Sequence, residues 1–264
     1  MKVGFIGCGN MGQAMLSGML ESGKVTVEDV IVSAKTQATK QKLEKEYGVV
    51  IAEHNIEVVK QAQYVILAVK PQYYETVLNE VRSAITEQTI LISIAPGKTF
   101  EWFEDKVGKS CKVVRTMPNT PSLVKKGMMG LCGNPQVTAT ELDAICELCQ
   151  GFSKTEIVPE YLMDVVTAVS GSSPAYVFMF IEAMADAAVE GGMPRGQAYT
   201  FAAQAVMGSA KMVLETGKHP GELKDMVCSP GGTTIQAVRV LEEKGMRASV
   251  MDAMKACLDK SRNM

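Results

Sequence analysis

The sequence predicts an α/β chain in two parts: a doubly wound, largely parallel sheet over residues 1–158, then an all-helical region over residues 159–264. Three observations carry this. Strand-length apolar runs alternate with helix-length stretches as far as Pro159, the pattern of a sheet with helices on its faces. A glycine-rich turn joins the first strand directly to the first helix. Beyond Pro159 the strand patterns stop, and helical periodicity runs on to the C-terminus.

The elements follow in order. Apolar runs at Val3–Ile6, Val30–Ser33, Tyr64–Val69, Thr89–Ile94 and Lys112–Met117 predict strands. Runs such as Val65-Ile66-Leu67-Ala68-Val69 are continuous rather than alternating, which implies burial on both faces. Apolar residues at helical spacing predict helices over Met11–Leu20 and Glu75–Ala84, and the charged stretch Thr39–Glu46 reads as a third. Two further strands are expected at Met128–Cys132 and Thr155–Val158. Between them Thr138 and Glu141 predict a capping box opening a helix. In the second part the periodicity predicts helices at Tyr161–Val169, Ala175–Glu190, Gly196–Glu215, Thr233–Lys244 and Met246–Arg262. Ser173 reads as an N-cap with Pro174 at the first helical position. These helices are rich in alanine and apolar around much of their surface, more than a small isolated bundle would hide. That excess predicts burial against another subunit.

Composition excludes several classes of function. The net charge is −2 and no basic stripe is present, which argues against a nucleic-acid surface. The longest apolar run, near Ala175–Ile181, is interrupted by Glu182, so no membrane segment is expected. Strand residues already begin at Val3, so no signal peptide is expected. The cysteines are seven, an odd number, and most lie in apolar segments. They read as reduced thiols of a cytoplasmic protein. Cys146 and Cys149 form a C-x-x-C inside a helical pattern, where two small packed residues are expected, and no metal site is predicted.

The turn Gly7-Cys8-Gly9-Asn10-Met11-Gly12 follows a strand, opens a helix and begins the chain. In that setting it is a dinucleotide fingerprint. The first glycine permits a tight turn, the second lets the backbone approach a pyrophosphate, and the third packs helix on strand. The first part is therefore predicted to be a Rossmann-type domain. The second strand ends Val32-Ser33-Ala34-Lys35-Thr36, without the carboxylate that usually meets the ribose of NAD. Ser33, Lys35 and Thr36 suit a 2′-phosphate, so NADPH is favoured over NADH. Three proline-bearing turns at strand ends, Ala68-Val69-Lys70-Pro71, Ala95-Pro96-Gly97 and Met117-Pro118-Asn119-Thr120-Pro121, are expected to line the nicotinamide pocket.

A second unusual segment is Cys228-Ser229-Pro230-Gly231-Gly232-Thr233-Thr234-Ile235-Gln236. Thr233 and Gln236 have capping-box spacing. Free N–H groups and hydroxyls at a helix start would form an anion nest for a carboxylate; an ordinary capped turn between helices is the other reading of the same residues.

With these motifs in order, the whole chain resembles the pyrroline-5-carboxylate reductases. The segments that carry the resemblance are Ile6–Gly12, Ala68–Pro71, Arg115–Pro121, Ser170-Gly171-Ser172-Ser173-Pro174-Ala175-Tyr176 and Ser229–Thr234. The resemblance implies a dinucleotide domain followed by a helical dimerisation domain. Its members form interlocked homodimers, often assembled into rings such as decamers, with the substrate pocket at the junction of domains and subunits. It implies hydride transfer from NADPH or NADH to the C=N carbon of 1-pyrroline-5-carboxylate, the last step of proline biosynthesis. Thr234 would hydrogen-bond the ring nitrogen. Ser229, Gly231, Gly232 and Thr233 would bind the carboxylate, and Asn55 would lie near the adenosine ribose or its phosphate. His54, His219, Lys70 and Cys228 are read as surface, capping, cofactor-contacting and packing residues respectively, rather than as catalytic acids. The competing readings are another NADP-dependent imine or hydroxyacid reductase, and a non-catalytic NADP sensor. The first would lack Ser229–Thr234 in this form, and the second would have no use for a carboxylate nest.

Overall fold

A computed structural model describes residues 2–263. The chain divides into two compact units: residues 2–172 with 257–263, and residues 173–256.

The first unit is built on an eight-stranded sheet in the order β3-β2-β1-β4-β5-β6-β7-β8. The strands are β1 (Val3–Ile6), β2 (Val30–Ser33), β3 (Val50–Ala52), β4 (Tyr64–Leu67), β5 (Ile90–Ser93), β6 (Lys112–Met117), β7 (Gly127–Gly133) and β8 (Ser153–Ile157). All neighbours are parallel except β6 and β7. The helices are α1 (Asn10–Glu21), α2 (Gln37–Tyr47), α3 (Asn55–Gln61), α4 (Tyr74–Val81), α5 (Phe100–Val107) and α6 (Ala139–Cys149). Alternate strand residues feed two cores. Val3, Phe5, Val30 and Val32 pack with Met15, Leu16 and Met19 of α1 and Leu148 of α6. Ile6, Ile31, Val65 and Leu67 pack with Val58 of α3, Tyr74 and Leu78 of α4, and Phe103 of α5. Burial on both faces explains the continuous apolar runs. Strand order reverses at β1, between β2 and β4, and ligands of such sheets bind beyond the strand ends there.

The predicted capping box is present: Glu141 N–H donates to Thr138 Oγ1 at 3.3 Å, and Thr138 N–H to Glu141 Oε2 at 2.9 Å. Four elements went unpredicted: β3, α3, α5 and α10 (Pro220–Val227), the last in the second unit.

The stretch after β8 departs from the sequence expectation. Instead of two helices separated at Ser173-Pro174, a helical run continues through α7 (Met163–Val166) and a π turn (Thr167–Gly171) into α8 (Ser173–Glu190). Ser173 is thus the first residue of α8 rather than its cap. The joined run, Glu160–Glu190, matches a membrane span in length and composition, because the helix continues across Pro174, which it accommodates in its first turn.

The second unit holds α8, α9 (Arg195–Thr216), α10 and α11 (Thr233–Glu243). The helix α12 (Met246–Arg262) runs from it back into the first unit. α8 packs on α9. The buried side chains of these two helices are few and small: Pro174, Ala185, Ala198 and Ala202. Phe178, Met179, Phe201 and Leu214 are exposed.

Candidate active site

The carboxyl ends of β1, β2 and β4 open into a cleft of about 870 Å³. Gly7, Cys8, Gly9 and Asn10 line one part of it, Ser33, Lys35 and Asn55 another, and Ala68, Val69 and Lys70 a third. The sequence spreads these residues over more than sixty positions; the sheet order brings them together.

The glycines have separate duties. Gly7 has φ +74°, and a Cβ there would fall 2.5 Å from Val69 Cγ1 and 2.9 Å from the Ala68 carbonyl oxygen. Only glycine takes that turn without strain. Gly9 N-caps α1 with φ −73°, and no heavy atom lies within 4 Å of where its Cβ would sit. That open space lies beside the free N–H groups at the start of α1, a setting that attracts phosphate. At Gly12 a Cβ would meet Ala68 Cβ at 3.2 Å and Cys8 Sγ at 3.3 Å, so this glycine serves helix-on-strand packing. Cys8 is buried, and burial raises its thiol pKa to about 12 against a small opposing effect of Lys42. It builds the loop as a protonated thiol and is not a nucleophile. Ile6 is fully buried, and its carbonyl accepts from Ala68 N–H at 2.9 Å, tying β1 to the turn after β4. Met11 packs against the core.

At the ribose end, Ser33 Oγ donates to Asn55 Oδ1 at 2.6 Å, and Asn55 Nδ2 donates to Glu80 Oε2 at 2.7 Å. Lys35 is exposed, with its ammonium 5.3 Å from the centre of the Tyr73 ring, within cation–π range. Thr36 caps α2 by accepting from Thr39 N–H at 3.2 Å. Lys40 pairs with Glu53 at 2.6 Å.

Other predicted residues lie outside the cleft lining. Pro71 opens a short 3-10 turn before α4. Ala95 is buried just past β5. Met117 ends β6, its Cε at 2.7 Å from where a Cβ on Gly171 would sit. Asn119 is buried and committed at both ends: Nδ2 donates to the Ser170 carbonyl at 3.0 Å, and Oδ1 accepts from Met128 N–H at 2.9 Å. It fixes the turn after β6 to the π turn.

Sequence reasoning missed several lining residues. Gln13 Nε2 donates to the Cys8 carbonyl at 3.0 Å and Gln13 Oε1 accepts from Lys42 at 2.9 Å, bracing the glycine turn. Tyr73 closes the short 3-10 turn after β4 and Glu80 lies on α4, and no local pattern marks either as a lining residue. Tyr74, fully buried, donates to the Leu67 carbonyl at 2.6 Å and accepts from Ile94 N–H at 3.2 Å. It clamps the ends of β4 and β5, and burial raises its phenol pKa to about 12.

In the second unit, Ser229–Gly232 forms a tight turn. Gly232 N–H donates to the Ser229 carbonyl at 3.0 Å, and Gly231 has φ +68°. Proline followed by a glycine of positive φ is the pairing that type II turns need. A Cβ on Gly232 would fall 2.5 Å from Ser229 Oγ. Gly232 is the N-cap of α11, so Thr233 is its first residue and Thr234 its second. The expected Thr233–Gln236 capping box is therefore absent, because the helix starts one residue earlier than that spacing requires. The first N–H groups of α11 are left without a side-chain cap. His219 caps α10, its Nδ1 accepting from Gly221 N–H at 3.0 Å. Among the described residues no His, Cys, Asp or Glu cluster could hold a metal, and all seven cysteines are free thiols.

Residues 160–264 match the family model "Pyrroline-5-carboxylate reductase dimerisation", and residues 2–97 match "NADP oxidoreductase coenzyme F420-dependent". The chain is 51% identical to the pyrroline-5-carboxylate reductase of Escherichia coli (strain K12), across 100% of this chain and 98% of that one. The solved pyrroline-5-carboxylate reductase of Coxiella burnetii superposes with a TM-score of 0.93 at 32% identity, covering 99% of this chain and 97% of that one. The Plasmodium falciparum pyrroline carboxylate reductase, solved with NADP bound, gives 0.90 at 31% identity, covering 100% and 97%. With the glycine cleft, the Ser229–Thr234 turn and this end-to-end likeness together, the chain belongs to the pyrroline-5-carboxylate reductase family.

Proposed function

We propose that the chain reduces 1-pyrroline-5-carboxylate to L-proline, with NADPH as the favoured hydride donor and NADH as a second one. The observation that carries this reading is the presence of the family-specific Ser229–Thr234 motif together with the Gly7–Gly12 turn in a chain similar over its full length to that family.

Bound NAD(P)H supplies the hydride, and a protonated cyclic imine is already electrophilic, so the chemistry asks for orientation and charge placement. Gly7, Gly9 and the start of α1 hold the pyrophosphate, with Ile6, Cys8, Asn10, Met11 and Gly12 shaping that turn. Ser33, Lys35 and Asn55 meet the adenosine ribose and its 2′ substituent. Ala68, Val69, Lys70 and Pro71, with Ala95, Met117 and Asn119, form the strand-end turns that support the nicotinamide. Ser229 and the backbone from Gly231 to Thr233 bind the substrate carboxylate as an anion nest. The Thr234 hydroxyl hydrogen-bonds the ring nitrogen and holds its proton in place.

Residues 1–158 serve as the dinucleotide domain, and residues 159–264 as the dimerisation and substrate domain. The protein self-associates; the finer assembly is an interlocked homodimer that builds a ring such as a decamer. The site of action is the cytoplasm.

Purified protein is expected to consume NADPH with the cyclic imine and not with 2-keto or 3-keto acids. Turnover of those acids without the imine would overturn the reading. Thr234→Ala should lower kcat by about a hundredfold, the scale of a lost positioned proton partner, with dinucleotide Kd unchanged. An unaltered kcat would remove Thr234 from the mechanism.

A further inference from the structure

We infer that Glu80, supplied by α4, sets the balance between NADPH and NADH by fixing the polarity of the hydrogen bonds that meet the adenosine 2′ position. This rests on the dinucleotide reading of the cleft.

The segment after β2, Ser33-Ala34-Lys35-Thr36, carries no carboxylate. The fold delivers one from elsewhere. Glu80 lines the same cleft as Ser33, Lys35 and Asn55, and its Oε2 lies 2.7 Å from Asn55 Nδ2. A carboxylate can only accept, so Asn55 must turn its NH₂ toward Glu80. Its Oδ1 then faces Ser33, 2.6 Å away, and Ser33 must donate. Ser33 is 2% exposed, and among the described residues the one other hydrogen-bond contact of its hydroxyl is the Phe5 carbonyl at a long 3.5 Å. The Ser33 proton is therefore spent inside the relay. What the hydroxyl offers to the cleft is a lone pair.

That polarity suits a 2′-hydroxyl, which has a proton to give. It does not suit a 2′-phosphate, which is almost wholly an acceptor at neutral pH. Charge acts in the same sense. The other carboxylate at this end, Glu53, is paired with Lys40 at 2.6 Å. Glu80 enters no ion pair among the described residues, so its charge remains to repel an anion. Lys35 pulls in the opposite direction. The cleft thus contains one element for each cofactor, and Glu80 is the one that keeps NADH competitive.

Glu80→Gln reverses the relay. A glutamine can donate to Asn55 Oδ1, Asn55 can then donate to Ser33 Oγ, and the Ser33 proton becomes free for phosphate. One negative charge is removed as well. Calorimetric titration of the full chain with NADP⁺ and with NAD⁺ tests this by Kd alone, without turnover. The ratio Kd(NAD⁺)/Kd(NADP⁺) should rise about tenfold in Glu80→Gln, the scale of one nearby charge in partly screened surroundings. It should rise in Glu80→Ala too, which guards against a defect peculiar to one substitution. Glu75→Gln, on the same helix but paired with Lys106, should leave the ratio as it is. An unchanged ratio in both Glu80 variants, or an equal loss of both cofactors, would overturn the inference. Failure of the unsubstituted chain to bind either dinucleotide would instead overturn the cofactor reading beneath it.

Discussion

Gly7 and Gly9 stand two residues apart and fail in different ways when a methyl group is added. Gly7→Ala puts a side chain at φ +74° and 2.5 Å from Val69, a strain of about 1–3 kcal/mol or more, and should lower the urea midpoint. Gly9→Ala meets open space in the free chain. It should leave stability nearly unchanged and weaken dinucleotide binding, as a titration would show. Equal stability loss in both would mean that Gly9 too is a folding residue. Cys8, between them, keeps its proton because burial raises its pKa to about 12. It should resist alkylation at pH 8 in the folded chain and react only on unfolding. The turn at Gly7 and the close packing at Gly12 were legible in the sequence, because a strand, a helix and three glycines at fixed spacing leave little freedom. Glu80 was not legible. Its role depends on α4 bringing it beside Asn55, a contact across 25 residues that no local pattern records.

At the scale of elements, the long buried strands and the helices with clear apolar faces were readable, and the short ones were not. β3 has three residues at the sheet edge with Val50 exposed, too few for a period to register. α3 has seven residues and no side-chain cap. α5 did carry a signal, since Thr99 caps it by accepting from Trp102 N–H at 3.2 Å. Glu160 shows why the start of the helical run lies where it does. Its Oε1 accepts from Arg115 Nη1 and from Phe100 N–H, each at 2.7 Å. Arg115 is 6% exposed, and its Nε has no partner among the described residues. Glu160→Ala would strand a buried guanidinium and should cost about 3 kcal/mol in urea unfolding. Adding Arg115→Met should recover most of that, because the orphaned charge is gone. A double variant as unstable as the single one would contradict this account of the pair.

For the whole molecule, the sequence exposed the excess of apolar helix surface, and the structure keeps it at the surface of the second unit. Self-association accounts for side chains such as Phe201 and Leu214, 66% and 74% exposed in the single chain, since so many large apolar side chains left at the surface of one unit mark an interface. Phe201→Glu should shift the sedimentation profile toward smaller species. The buried thiols make a second global prediction. Burial raises Cys8 to about 12 and Cys111 and Cys132 to about 11. An unfolded thiol titrates near about 8.5. Between those values the unfolded chain has released protons that the folded chain keeps, so stability must fall as pH rises from about 8.5 toward 11. Urea midpoints at pH 7.5 and pH 10 check the sign, and a higher midpoint at pH 10 would contradict it.

In the proposed reaction a nicotinamide hydride is placed on the carbon of a cyclic C=N bond. The direct measurement is to supply NADPH deuterated at the transferable position together with 1-pyrroline-5-carboxylate, and to analyse the product by mass and by NMR. The expected product is L-proline carrying one deuterium on the former imine carbon, formed in step with loss of NADPH. Proline without the label, or no proline at all, would contradict it.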